Sequence, residues 1–173
     1  MEQSKISKQT IYLCISSIAF LSCILGANWA LKTWGIVPVG FGLMAPAGVY
    51  FAGLSFGLRD ATQELGGRRW TIVLILLGAA LSAFIDPVFA FASCVAFLCS
   101  EMADFAVYTP LRERHWHTAV IASNAVGAII DSALFLWIAF GSLEFIVGNT
   151  LGKFWMTVPA IIIVGLVRKR NSR

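Results

Sequence analysis

Apolar residues along this chain gather in long blocks separated by short polar interruptions, and block length carries more information here than any local period. A helix needs about 20 largely apolar residues to cross a hydrocarbon core. Six blocks reach or approach that length, at 11–30, 41–58, 70–85, 87–108, 118–140 and 145–167, and the pattern predicts a transmembrane helix over each. The stretch 70–108 is nearly continuous and too long for one ordinary span. Asp86-Pro87 divides it, because Asp caps a helix start and Pro suits the first helical position. The third helix is therefore short, fitting a locally thinned bilayer or starting before Trp70. Gly66-Gly67 is expected to end the polar extension of the second helix.

The polar interruptions orient the bundle. Lys5 and Lys8, then Arg59, Arg68 and Arg69, then Arg112 and Arg114, and finally Arg168, Lys169, Arg170 and Arg173 fall on one side of the alternation, with Lys32, Asp86 and Glu144 on the other. Lys and Arg near span ends hold their loops in the cytoplasm. The expected fold class is an all-α integral membrane protein: a bundle of six transmembrane helices, N and C termini cytoplasmic. It forms a single transmembrane domain over 1–173, multi-pass in the cell (inner) membrane, with the lipid bilayer as its surroundings. A three plus three inverted repeat is common in such folds, but the two halves show no convincing internal match.

Composition agrees with the block pattern. Apolar residues make up 58% of the chain and charged residues 13%, against roughly 25% charged in a soluble domain. The net charge of +4 is parcelled out between apolar blocks and lines no face with interleaved aromatics, so nucleic acid is not an expected partner. Cys14, Cys23, Cys94 and Cys99 lie inside apolar runs without metal-ligand spacing and read as small core residues. His115 and His117 are two apart and lack a third ligand, so no metal site is expected. The first apolar run follows Lys5 and Lys8 without a small-residue cleavage site and does not read as a cleavable leader. Trp29, Trp34, Trp70, Tyr108 and Trp116 near span ends suit headgroup-level anchoring. The pairs Gly53 and Gly57, Ser123 and Gly127, and Gly148 and Gly152 suit close helix approach.

The candidate chemistry lies in polar residues that lipid cannot explain. An ionised side chain inside a bilayer costs at least a few kcal/mol on insertion scales (~2.5–3.5), so each should face the bundle interior or water. On the fourth predicted helix Glu101 and Asp104 are three apart with Tyr108 four further on, sharing a face. On the fifth, Asn124 and Asp131 are seven apart, and Ser123, Gly127 and Asp131 repeat at four, leading a small-residue groove to the deepest carboxylate of the chain. On the sixth, Asn149 and Lys153 form a polar stripe, and Lys153 is a counter-ion for Asp131 or Asp104. These residues, Glu101, Asp104, Asn124, Asp131, Asn149 and Lys153, form the expected substrate-binding set. Arg59, Asp60 and Glu64 in the segment before Gly66-Gly67 read as a gate or pocket wall. That segment lacks the Gly-x-x-x-x-Gly-Lys-Ser/Thr pattern of a phosphate-binding loop.

These same residues carry a family resemblance. The run Asp-Ala-Thr-Gln-Glu-Leu-Gly-Gly-Arg-Arg at 60–69, Ser-Glu-Met-Ala-Asp at 100–104 continuing to Tyr108 and Leu111-Arg112, Ser123-Asn124 with Asp131 before Phe135, and Asn149 with Lys153 resemble the queuosine-precursor transporters, also called the VUT or vitamin uptake family. The resemblance covers most of the chain. It implies import of a purine-like small molecule, a 7-deazaguanine precursor of the modified tRNA base queuosine, typically 7-cyano-7-deazaguanine. The residues suit that cargo: a carboxylate such as Asp104 or Asp131 accepts ring N–H donors, Asn124 or Asn149 bonds donors and acceptors, and Phe105, Phe135 or Trp137 can stack. A coupling proton and a homo-oligomer are further expected partners, and no cofactor is expected.

Two other classes stay open. One is the substrate-binding subunit of an ATP-driven energy-coupling-factor transporter, which would need a small-residue stripe on the first helix, here Ala19, Cys23 and Ala27. The other is a membrane enzyme using Glu101, Asp104 and Asp60 as acid, base or metal ligands. Neither a Gly-x-Ser-x-Gly elbow nor a His-Glu-x-x-His motif is present, and the chain is not expected to be an enzyme.

Overall fold

The computed structural model describes residues 2–111 and 116–156. Within them α1 spans Glu2–Trp34, a two-stranded sheet pairs β1 (Ile36–Gly40) with β2 (Leu43–Pro46), and α2 spans Val49–Ser82. Then come α3 (Pro87–Leu111) and α4 (Trp116–Phe140), and a last helix, α5, begins at 146 and is described to 156. Among the described residues four helices are long and apolar enough to cross a membrane: Gln9–Trp34, Val49–Ser82, Pro87–Asp104 and Ile121–Phe140.

The polarity of the molecule is that of a membrane protein. Ile11, Ile15 and Ile18 of α1, Val73, Leu76 and Leu77 of α2, and Phe91 of α3 are exposed, while Asn28, Ser55, Arg59, Thr62, Asp131 and Lys153 are buried. Large aliphatic side chains facing outward have no favourable aqueous solvent, whereas lipid accepts them without cost.

α2 resolves the question of the second and third apolar blocks. Its 34 residues would extend about 50 Å as a straight helix, well beyond a hydrocarbon core of about 30 Å. At Gly67 the backbone adopts φ 80° and ψ 167°, a region essentially closed to residues with a Cβ. The chain reverses there. Before the bend, Phe51 packs on Gly26 and Gly48 on Ala27; after it, Trp70 Nε1 donates to Ser17 Oγ at 3.0 Å and Ile24 packs on Gly78. Both arms thus run antiparallel along the same helix, with Gly66 seated on Leu13 at the turn. The core between them is built from Phe20, Cys23, Leu58, Leu74 and Ile75.

The Asp86-Pro87 boundary behaves as its chemistry requires. The Asp86 carboxylate accepts from the backbone N–H groups of Val88 at 3.0 Å and Phe89 at 3.1 Å, satisfying donors that the first turn of α3 cannot pair internally.

One expectation is corrected. Residues 41–48, assigned to the start of the second predicted helix, are not helical, and the class all-α needs a β-hairpin added. β1 and β2 pair antiparallel in the register Ile36↔Pro46, Val37↔Ala45 and Pro38↔Met44. The apolar content looked like a span, but β-branched Ile36, Val37 and Val39 favour a strand, and Pro38 and Pro46 interrupt helical bonding. At the tip Phe41 has φ 53°, flanked by Gly40 and Gly42. Phe41 then stacks on Trp155 of α5 at 6.3 Å between ring centroids, and Trp155 Nε1 donates to the Val39 carbonyl at 3.3 Å.

Candidate functional site

A cavity of about 560 Å³ lies between the helices, beneath the hairpin, with walls from all five helical elements. Ile24, Leu31, Val49, Phe97 and Phe135 make it mainly apolar, and Asn28, Asp131, Asn149 and Lys153 supply its polar groups.

α5 positions two of the polar groups. Asn149 and Lys153 are one turn apart and line the cavity, while Gly148 and Gly152 face the hairpin. A Cβ at Gly148 would overlap the Met44 carbonyl, so only glycine lets β2 lie this close to α5. At Gly152 a Cβ would meet Val49 at 2.7 Å. The hairpin therefore fixes the rotation of α5, and that rotation turns Asn149 and Lys153 inward.

The Lys153 ammonium donates to Asp131 Oδ2 at 2.5 Å and to Ser132 Oγ at 2.8 Å. Lys153 is 2% exposed and Asp131 6%, so this ion pair is shielded from water. Asp131 was one of two partners considered for Lys153, and it is the one found. The pair leaves the cavity with charged groups but no net charge, because each cancels the other.

Asn28 completes the opposite wall and was not anticipated. Its amide nitrogen donates to the Ile24 carbonyl at 3.2 Å and to Ser82 Oγ at 3.1 Å, and its oxygen accepts from Ser93 Oγ at 3.3 Å. Three elements, α1, α2 and α3, are thereby tied together at the cavity. Asn149 differs: it is 2% exposed and its Nδ2 finds no hydrogen-bond partner among the described residues.

The remaining expected site residues stand outside the cavity lining. Arg59, 4% exposed, pairs across to Glu101 on α3 and with its neighbour Asp60, whose Oδ1 lies 2.6 Å from Arg59 Nη2. This cluster sits one turn beyond Ser55 on α2 and one turn beyond Phe97 on α3, two residues that do line the cavity. Between them lies an aromatic layer. Phe97 is 6.0 Å from Phe20 and stacked at 5.3 Å on Phe56, and the Arg59 guanidinium lies 5.6 Å over the Phe56 ring. Asp104 approaches Gly127 where α3 and α4 pack, and Asn124 is half-buried one turn before. Glu64 is exposed near the bend of α2. Arg112, Arg114 and His115 lie outside the described residues, as do the side chains of Phe105, Tyr108, Trp116 and His117.

The small-residue stripe of α1 faces inward. Cys23 is buried in the core, Ala19 packs against it, and Ala27 lines the cavity.

The family described as "putative vitamin uptake transporter" matches residues 85–169. No curated protein and no solved structure matches the chain. The matched segment holds α3, α4 and α5, and with them Glu101, Asp104, Asn124, Asp131, Asn149 and Lys153, whereas Asn28, Arg59, Asp60 and Glu64 precede it. From α3 onward, where Asp131, Asn149 and Lys153 reach the cavity, this chain is similar to the family described as putative vitamin uptake transporter.

Proposed function

We propose that this protein imports a queuosine precursor, 7-cyano-7-deazaguanine or a related 7-deazapurine, across the cell inner membrane for salvage into tRNA. The observation that carries the reading is the cavity itself: a mainly apolar slot with a neutralised Lys153–Asp131 pair on one wall and the Asn28 amide on another. A neutral heterocycle suits such a site. Its ring replaces water against Phe97 and Phe135, and its polar edge meets the Asn149 amide, whose Nδ2 has no hydrogen-bond partner among the described residues.

Transport follows from closure on both sides of that slot. The β-hairpin covers one end, with Phe41 stacked on Trp155. The Phe20–Phe97–Phe56 layer and the Arg59–Glu101 pair close the other, so Arg59, Asp60 and Glu64 belong to the inner gate and Glu101 joins them rather than the substrate. Counting the two arms of α2 separately and α5 as a full crossing gives six spans, with the arginine-rich bend of α2 on the cytoplasmic side, both termini with it, and the hairpin opposite. Asp104 and Asn124, where α3 meets α4, would then lie on the route between cavity and cytoplasm, and a coupling proton would pass by way of the Asp104 carboxylate.

The test is uptake of labelled 7-cyano-7-deazaguanine, or recovery of queuosine in tRNA, in cells unable to make the precursor. Expression of this chain should restore both. Asp131→Asn and Asp104→Asn should each abolish uptake per molecule that reaches the membrane, the first also lowering stability; normal uptake per inserted molecule by both variants removes this site assignment. Uptake by the purified protein alone in liposomes would separate a self-sufficient carrier from a subunit that needs an ATP-driven partner.

A further inference from the structure

The hydrogen-bonding capacity of the cavity wall is lopsided. Asn28 spends both amide hydrogens on Ile24 and Ser82, and its oxygen already accepts from Ser93. Lys153 and Asp131 answer one another, with Ser132 alongside. Asn149 alone among these wall residues offers a buried amide nitrogen with no partner among the described residues. An N–H group held in a dry site without an acceptor carries its full desolvation cost, and among the described residues this atom is the one left unanswered on the wall.

We infer that Asn149 is the specificity-determining donor of the cavity: its Nδ2 binds a hydrogen-bond acceptor, a carbonyl oxygen, ring nitrogen or nitrile, on a flat ligand that bears no net charge. Neutrality follows from the Lys153–Asp131 pair, whose charges cancel and leave no counter-ion for a charged ligand entering an apolar space. Flatness follows from the walls, where Val49 and Phe97 of α2 and α3 and Phe135 of α4 bound the space beside Asn149. Orientation follows from α5, since the overlap that any side chain at Gly148 would make with Met44 locks the helix and holds the neighbouring Asn149 inward. This inference rests on the uptake reading only for the identity of the ligand, and not for the donor role of Asn149.

The test uses the full chain in detergent or nanodiscs, with 7-cyano-7-deazaguanine as probe and, beside it, analogues each lacking one acceptor: the 6-oxo group, the nitrile, or a ring nitrogen. Asn149→Leu should weaken binding of the parent compound by roughly 5- to 150-fold, the range set by leaving one buried acceptor unpaired. One analogue should lose a similar factor on the native protein and nothing further on Asn149→Leu, which identifies the acceptor. Without ligand, Asn149→Leu should melt at a higher temperature than the native protein, because it removes an unpaired donor from an apolar wall. Equal affinity of native protein and Asn149→Leu for the parent overturns the inference, and so does a ligand-free variant that melts lower, which would make the amide a structural donor. If the native protein binds no 7-deazapurine, the uptake reading fails. The ligand-free melting shift then decides the donor role on its own: a rise supports it, and a fall or no change overturns it.

Discussion

Replacing Asp131 by Asn should unfold or strongly weaken the protein, and replacing Lys153 at the same time should restore much of the loss. At the observed 2.5 Å separation, two unit charges attract by about 7 kcal/mol at an effective dielectric constant of about 20. Desolvating each ion costs several kcal/mol, so the pair as a whole lies close to break-even. Removing one partner removes the attraction but leaves the desolvation of the other. Asp131→Asn keeps the shape of the side chain and takes the opposing charge from the Lys153 ammonium, which is 2% exposed and keeps the Ser132 hydroxyl among its acceptors. The expected destabilisation is about 3–5 kcal/mol. The double variant Asp131→Asn/Lys153→Met has no buried charge at this point and should recover most of that stability, yet it should not regain uptake. Thermal melting of purified protein and the amount of membrane-inserted protein read the first effect, and uptake reads the second. A single variant as stable as the native protein, or a double variant no more stable than the single one, would refute the claim that the two charges are buried against each other.

Three further outcomes follow from the packing. Gly67→Ala places a Cβ in open space but at φ 80° and ψ 167°; the strain should cost about 1–3 kcal/mol, seen as a lower melting temperature with uptake per folded molecule unchanged. Gly148→Ala forces the added methyl onto the Met44 carbonyl, and should cost about 1–3 kcal/mol by overpacking and reduce uptake by shifting the hairpin from α5. Glu101→Gln breaks the half-buried pair with Arg59 but leaves Asp60 as a partner, so the loss should fall below the ~3–5 kcal/mol range for a broken buried pair. In a background free of the four native cysteines, Ser55→Cys should then react faster with cytoplasmic reagents when Glu101→Gln is present; an unchanged rate would remove Arg59 and Glu101 from the gate.

How much of the fold the sequence disclosed depends on whether the decisive force was local. Lipid selects long apolar blocks, and the Asp86-Pro87 boundary and the Gly66-Gly67 turn are written in single residues with strong backbone preferences, so both fall where the residues indicated. The hairpin was missed because block length was given precedence over local chemistry. Ile36-Val37-Pro38-Val39-Gly40 is β-branched, proline-interrupted and bounded by glycine, which is a strand signal. Those residues precede the second apolar block, whereas 41–48, which holds β2, reads as helix only because the apolar run continues into Val49 and beyond.

The site was legible to the extent that its members are charged. An ionised side chain in an apolar block announces itself by its cost, which is why Asp131 and Lys153 could be singled out. Asn28 could not, since beside Trp29 near a span end it reads as interfacial, and its partners Ser82 and Ser93 are 54 and 65 residues away. Glu101 and Asp104 show a subtler limit. Positions three apart on a helix differ by about 60° around its axis, close enough to count as one face on a helix flanked by a single neighbour. α3 has two neighbours, α2 and α4, and 60° is then enough to divide them. Glu101 turns to Arg59 of α2, and Asp104 turns to Gly127 of α4. A shared face in the sequence thus became two different contacts, and which of the two serves the substrate path depends on the neighbours, which periodicity along one helix does not contain.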